Sequence, residues 1–135
     1  MANNKIIRLG PVALTTTTTT NVANPPTVTG GTGLSGTNSA TYLIIRHIRV
    51  VNKTASNASV ALWLGATGAN TAGTETIFGG VASAGALTRG VVIPAQSYVD
   101  WYGQLRMDTA DFLVGGSDTA TALTFEAEAE IGIAG

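Results

Sequence analysis

Residues 122–134 read ALTFEAEAEIGIA, and the alternation in this stretch decides the fold class. Apolar side chains occupy one parity, namely Leu123, Phe125, Ala127, Ala129, Ile131 and Ile133, and polar ones occupy the other, namely Thr124, Glu126, Glu128 and Glu130. A period of two puts the apolar set on one face of a β-strand, whereas a helix would spread both sets around its circumference. The stretch therefore predicts a strand with one buried face. Adjacent glutamates on the other face repel one another, so a basic neighbouring strand is expected.

The rest of the chain shows further strand signals separated by turns, and no window has helical periodicity with a cap. The segments that predict strands are 5–9, 12–20, 41–51, 60–65, 75–80, 86–94, 97–107 and 111–116. About eight short strands joined by Gly- and Asn-rich turns are typical of an all-β domain, either a single antiparallel β-sandwich or a jelly roll.

The chain of 135 residues has the length of one domain. Residues 1–40 hold N-terminal strands and a Pro/Gly/Thr-rich arm or loop, and residues 41–135 form the predicted sandwich core. Both belong to the same domain because too little chain precedes the Pro/Gly-rich segment 24–40 to fold alone. An arm of this kind is able to extend onto a neighbouring copy.

Composition excludes several kinds of chemistry. The chain has no cysteine and a single histidine, His47, so disulfides, thiolate nucleophiles and sites with two histidines are absent. Charged residues make up 11% of the chain, against about a quarter in typical proteins, and the net charge is −1. A surface with so few charges predicts a subunit covered by copies of itself or by a large partner. Residues 1–14 do not have the pattern of a signal peptide, and no apolar segment reaches membrane-spanning length, so we expect neither secretion by that route nor a membrane partner.

The charges are distributed unevenly along the chain. Every charged residue up to position 74 is basic, and all eight acids follow from Glu75 onward. Two interpretations stay open: basic and acidic strands lie side by side in one sheet, or opposite charges attract between neighbouring copies.

No catalytic, cofactor or metal site is predicted. His47 has no accompanying nucleophile motif, and the glycine loop GATGANTAG at 65–73 matches no phosphate-binding pattern. Asp108, Asp111 and Asp118 indicate a polar turn more than a cation site. Together with Lys53 and His47, Arg46 and Arg49 form a basic cluster, but their opposite parity in one strand keeps these two arginines off a common face. With a sequence pI near 5.6, nucleic acid is not an expected partner.

Aromatic residues provide the candidate interface. Asp100, Trp101 and Tyr102 together suggest a sugar-binding cluster, with core or interface packing as the alternative for the aromatic rings. The candidate interface residues are Trp63, Trp101 and Tyr102 as apolar anchors, and Arg46, Arg49, Glu126, Glu128 and Glu130 as charges across strands or subunits. The alternative for both tryptophans is burial in the core. Trp63 has the parity opposite to Val60, Leu62 and Leu64, so one face of its strand must either expose the indole or cover it.

The segments IIRHIRVVNKTASNASVALWLGATG, VVIPAQSYVDWYGQLRMDTADFLVGG and ALTFEAEAEIGI together resemble small β-sandwich virion proteins of tailed bacteriophages. The resemblance covers residues 43–133 and carries over no catalytic residue. It implies a structural protein of the virion, assembled in the host cytoplasm: a capsid decoration or cement subunit on the outer head, or alternatively a neck, minor tail or fibre protein. It further implies a symmetric homo-oligomer, with a trimer favoured, bound to the major capsid protein or other virion proteins.

Overall fold

The computed structural model describes residues 5–16, 21–23, 41–65, 75–78, 80–83, 86–107 and 112–133. Every regular element within these ranges is a β-strand, which confirms the all-β prediction. The strands are β1 (Lys5–Ala13), β2 (Asn21–Ala23), β3 (Thr41–Asn52), β4 (Ala58–Gly65), β5 (Glu75–Phe78), β6 (Gly80–Ser83), β7 (Ala86–Ile93), β8 (Tyr98–Met107), β9 (Phe112–Ser117) and β10 (Leu123–Ile133).

The strands form two antiparallel sheets. One has four strands in the order β1-β10-β3-β8, and the other has the order β2-β9-β4-β7-β6, with β5 paired to β4. When the short strands β5 and β6 are set aside, eight strands remain. Numbered in chain order, they lie in one sheet as first-eighth-third-sixth and in the other as second-seventh-fourth-fifth. This order is the jelly roll, in which two Greek keys wind one chain into a sandwich. Of the two predicted architectures, the jelly roll is therefore the one the chain adopts.

The core lies between the inner faces of the two sheets. Phe125, Ile45 and Ile48 enter it from the four-stranded sheet, and Leu62 and Leu113 enter it from the other, all of them with 0% exposure. Burial of each such side chain stabilises the fold by roughly 1.5–3 kcal/mol relative to exposure. The predicted alternation of β10 is confirmed, because its apolar residues 125, 127 and 129 are buried while its glutamates are exposed or half-buried.

Strand β4 is buried on both faces. Leu62 faces the core, and Trp63, of opposite parity, is also buried at 3% exposure. Its indole Nε1 has no hydrogen-bond partner among the described residues. Gly115 on β9 leaves no space for a Cβ atom beside the carbonyl oxygen of Ala61, so the strands approach closely there. Trp63 is therefore buried within one chain without belonging to the core cluster, and its role as an interface anchor stays a prediction that would require the indole to be uncovered.

The two described strands of the N-terminal segment lie in different sheets, β1 beside β10 and β2 beside β9. Strand β1 pairs with β10, and its register shifts between Leu9 and Val12, at a cis Gly10–Pro11 bond where Gly10 has φ 89°. Leu14 is buried and its amide donates to the carbonyl oxygen of Leu123 at 3.0 Å. Strand β1 ends at Ala13, so residues 14–16 of the strand predicted over 12–20 are not in a strand, and residues 17–20 lie outside the described part of the chain. The predicted arm at 24–40 lies outside the described residues.

Candidate interaction surface

A bulge in β3 organises the face of the four-stranded sheet that points away from the core, called here the outer face. Leu43 and Ile45 face inward, and the next inward residue is Ile48. Between Ile45 and His47, β3 has one residue more than the facing part of β10, and β8 in turn has one residue more than β3. One extra residue reverses the parity of everything beyond it. Arg46 and Arg49 consequently share the outer face, and the expectation that parity separates them is wrong.

The outer face carries paired charges. Its residues are Arg8 on β1, Glu126, Glu128 and Glu130 on β10, Arg46, His47 and Arg49 on β3, and Tyr98, Asp100 and Tyr102 on β8. Arg46 binds Glu130 through its Nε and Nη2 atoms, and Arg8 lies 3.8 Å from Glu126. Acidic β10 is thus placed between two strands that bear arginines. This arrangement matches the first of the two interpretations of the uneven charge, in which oppositely charged strands lie side by side.

Asp100 is the centre of the most ordered cluster on this face. Arg49 donates through Nε to Asp100 Oδ1 at 2.7 Å and through Nη2 to Oδ2 at 2.9 Å, which is a bidentate pair. His47 Nε2 lies 2.9 Å from the same Oδ1 atom. The hydrogen bonds from Arg49 lower the pKa of Asp100 to about 2, against the opposing effect of desolvation and with a smaller contribution from His47. The same pair raises the pKa of Arg49, so both groups are charged over the physiological range.

Two exposed tyrosines flank this cluster. Tyr102 is 71% exposed and stacks on His47, with ring centroids 4.6 Å apart and an interplanar angle of 19°. Tyr98 is 55% exposed and lies under Arg49, whose guanidinium carbon is 4.3 Å from the ring centroid. Stacking and cation–π contacts hold both rings at fixed positions on the surface. The predicted candidates Tyr102, Arg46, Arg49 and the three glutamates therefore lie on one face, although only their placement is shown and the interface itself stays a prediction.

Trp101 lies on the opposite face. It pairs with inward-facing Ile48, packs half-buried against the core, and its indole lies along the strand over Gly103. Consecutive residues in a strand point to opposite faces. The suggested sugar-binding cluster is therefore divided, because Asp100 and Tyr102 share the outer face while Trp101 belongs to the core edge.

The aspartates that were weighed as a cation site do not form one among the described residues. Asp108 and Asp111 lie outside the described residues, and Asp118 accepts a hydrogen bond from the amide of Ser59 at 2.8 Å, as a loop-fixing side chain does. Within the described part of the chain no group of three metal-binding side chains occurs. The described ranges likewise contain no helix of a length and apolarity that would span a bilayer.

Asn52 is a structural residue that the sequence reasoning did not single out. It is 1% exposed, and its Nδ2 donates to the carbonyl oxygens of Ser56 at 2.8 Å and Ile93 at 3.0 Å. Its Oδ1 accepts from the amide of Thr54 at 3.0 Å and from the Thr54 hydroxyl at 2.7 Å. The side chain therefore ties the turn after β3 to the end of β7. The Val-Asn ending of β3, followed by a polar turn, was the available signal.

Comparison with known proteins gives similarity in fold. No family model matches the chain, and no curated protein matches it. Among solved structures, the coat protein dimer of Tobacco streak virus is similar with a TM-score of 0.43 and 10% identity, over 98% of this chain and 88% of that chain. The same coat protein in another crystal form is similar with a TM-score of 0.40 and 9% identity, over 98% of this chain and 87% of that chain. A chain from naturally occurring empty particles of Cowpea mosaic virus is similar with a TM-score of 0.36 and 11% identity, over 72% of this chain and 59% of that chain. Similarity at this level assigns no function.

Proposed function

We propose that this chain is a non-enzymatic structural protein of a bacteriophage virion, a decoration subunit that binds the outside of the capsid as a symmetric homo-oligomer. The jelly-roll order of the strands supports the class, because capsid subunits are among the proteins built on this fold. The low charge content of 11% supports a chain that is covered on assembly. The phage, the capsid and the decoration role come from the sequence resemblance.

The observation that carries the proposal is the pre-ordered outer face. Tyr102 and Tyr98 are exposed yet held by His47 and Arg49, and Arg49 is itself fixed by Asp100. Tyrosine and arginine are enriched among residues that dominate binding energy. Side chains that are already ordered lose less conformational entropy on association, which favours tight binding to a fixed lattice. A repeating capsid surface is a partner of that kind.

Binding to particles that lack the protein tests the proposal. Purified protein is mixed with such particles, and co-sedimentation and electron microscopy are expected to show added density repeated over the head lattice. The variant Tyr102→Ala is expected to weaken binding at least about tenfold, since anchor residues typically contribute 2 kcal/mol or more. Val92→Ala serves as the matched control, because Val92 is 57% exposed on the other sheet and lies off the outer face. Density at one vertex would favour the neck or tail instead, and no association with any particle would overturn the proposal.

A carbohydrate-binding surface is the second candidate. It is favoured by the two exposed tyrosine rings on either side of Asp100, since jelly rolls also occur in lectins. Binding on a glycan array that disappears in Tyr102→Ala and persists in Trp101→Ala would support it. The reverse pattern would place the site on the inner edge of β8 and contradict it.

A further inference from the structure

The edges of the two sheets differ in how they are protected against pairing with other strands. The described edges of the larger sheet are short, because β2 has 3 residues and β6 has 4. In the four-stranded sheet, β1 carries Pro11 and a register shift, both of which disrupt an edge. Strand β8 at the other edge also has a register shift, between Tyr102 and Leu105, but its 10 residues include no proline, and no described strand pairs with its outer side. It is the least protected long edge in the described part of the chain.

The backbone of β8 presents hydrogen-bonding groups at this edge. The carbonyl oxygen of Ser97 accepts from the amide of Asn52 at 2.7 Å, so the backbone groups of Ser97 point toward β3. In an antiparallel ladder, alternate residues direct both N–H and C=O to opposite sides. The backbone groups of Tyr98, Asp100 and Tyr102 therefore point outward. Buried backbone groups must be paired, and since no described strand pairs with these outward groups, they are available to a new strand.

The inner side of the same edge is incomplete. Trp101 is half-buried and Gly103 beside it is exposed, with the indole lying where a side chain at position 103 would stand. Because the inner layer stops at this point, apolar surface of the indole is left in water. A strand added beside β8 would extend the layer over it and bury that surface.

We propose that β8 pairs antiparallel with β8 of a second copy across a two-fold axis at Tyr102, which joins two four-stranded sheets into one of eight strands. This inference specifies the homo-oligomer named in the proposed function. A two-fold axis at Tyr102 places Asp100 opposite Gln104 of the second copy and Trp101 opposite its Gly103. The side-chain amide of Gln104 is then a donor for the carboxylate, and the exposed surface of each indole faces the second copy. An axis at Asp100 would instead oppose two carboxylates, which is unfavourable.

The molar mass of the protein, measured by light scattering during size-exclusion chromatography, tests the pairing. The wild type is expected at twice the 13.7 kDa of one chain. Tyr102→Pro removes an outward amide and no bond to β3, so it is expected to give monomers with native far-ultraviolet circular dichroism and at least about tenfold weaker association. The matched control Tyr102→Ala keeps the amide and is expected to remain dimeric. A monomeric or trimeric wild type, or a Tyr102→Pro variant that stays dimeric, would overturn the inference.

Single cysteines test the axis without relying on a proline variant that folds. The chain contains no cysteine, so one introduced thiol can pair only with its copy. Tyr102→Cys is expected to form a disulfide-linked dimer under mild oxidation, because the two Cα atoms would lie roughly 4.4–6.8 Å apart, the range that a disulfide needs. Tyr98→Cys is the control, since its copy would be about 26 Å away along the strands.

Equal crosslinking of the two cysteine variants, or crosslinking of Tyr98→Cys alone, would contradict the axis. A trimer that still decorates particles would overturn this inference and leave the proposed function intact. A dimer that does not bind particles would support this inference and overturn the proposed function.

Discussion

The two faces of the four-stranded sheet are built by the same strands and follow different rules. On the inner face, Phe125 and Ile48 are fully buried and contact other apolar side chains. On the outer face, Arg49, Asp100 and His47 form directed hydrogen bonds in partial contact with water. Burial of apolar area is strong and non-directional, whereas surface ion pairs are weak and depend on geometry. The inner face therefore holds the fold together, and the outer face fixes the positions of groups that a partner would meet.

The largest effect is expected from the inner face. Phe125→Ala should lower the free energy of unfolding by about 3–5 kcal/mol, since it removes a buried aromatic ring and leaves a cavity. Urea denaturation followed by circular dichroism measures the loss. Tyr102→Ala on the outer face is the matched control, with an expected loss of about 1 kcal/mol or less. Similar losses in the two variants would contradict the division between the faces.

The second effect concerns the polar end of the inner face. Asn52→Ala should lower the free energy of unfolding by about 1–3 kcal/mol, because it leaves the buried carbonyl oxygen of Ile93 without its donor. Asn57→Ala is the comparison, since Asn57 is exposed and accepts one hydrogen bond from the amide of Ala95 at 3.2 Å. Urea midpoints measure both. If Asn57→Ala lowered the free energy of unfolding as much as Asn52→Ala, the role of Asn52 in joining the turn after β3 to the end of β7 would be contradicted.

The inner face could be predicted from the sequence and the outer face only in part. Alternation in 122–134 predicts which side of β10 is buried, because a period of two places all apolar side chains on one face of a strand. The same rule failed in β3, where a bulge adds a residue and returns Arg49 to the side of Arg46. The buried residues of β3 fall at 43, 45, 48 and 50, but Ile44 and Val51 are apolar too, so the sequence of this strand has no regular alternation in which an extra residue would stand out.

The contacts of the outer face depend on that bulge and on strand order. Asp100 meets Arg49 because β8 follows β3 in the sheet, although 51 positions separate them along the chain. Strand order in a jelly roll is set by long-range pairing, which local pattern does not encode. The sequence could have predicted that Trp101 lies on the face opposite to Asp100 and Tyr102, since adjacent residues in a strand cannot share a face. The pairing of Asp100 with both His47 and Arg49 was not.

The third effect is a pH-dependent one on the outer face. Asp100 has a pKa of about 2 in the folded chain, below its ordinary 3.8, so its ion pair stabilises the fold above about pH 4 and is lost as the pH falls toward 2. Asp100→Asn should therefore be less stable than the wild type by on the order of 1 kcal/mol at neutral pH, with the difference shrinking through that window. Urea midpoints at pH 7, 4 and 2.5 measure it. Glu128→Gln is the control, since Glu128 makes no ion pair among the described residues, and it should show no such trend. A difference that grew on acidification would contradict the stabilising role of the pair.

The smallest effect is expected from the pair between Arg46 and Glu130, whose side chains are 45% and 26% exposed. A double-mutant cycle with Arg46→Ala and Glu130→Ala should give a coupling energy of about 0.2–1 kcal/mol, because water screens the charges and two long side chains must be ordered. Salt should reduce the coupling further, since the Debye length falls to about 3 Å at 1 M. The cycle for Arg49 and Asp100 should keep more of its coupling in salt, because Asp100 is 17% exposed and held by two parallel hydrogen bonds. If both pairs lost their coupling equally, the Asp100 cluster would be ordinary surface charge, and the fixed tyrosines beside it would lose the support that the proposed binding face requires.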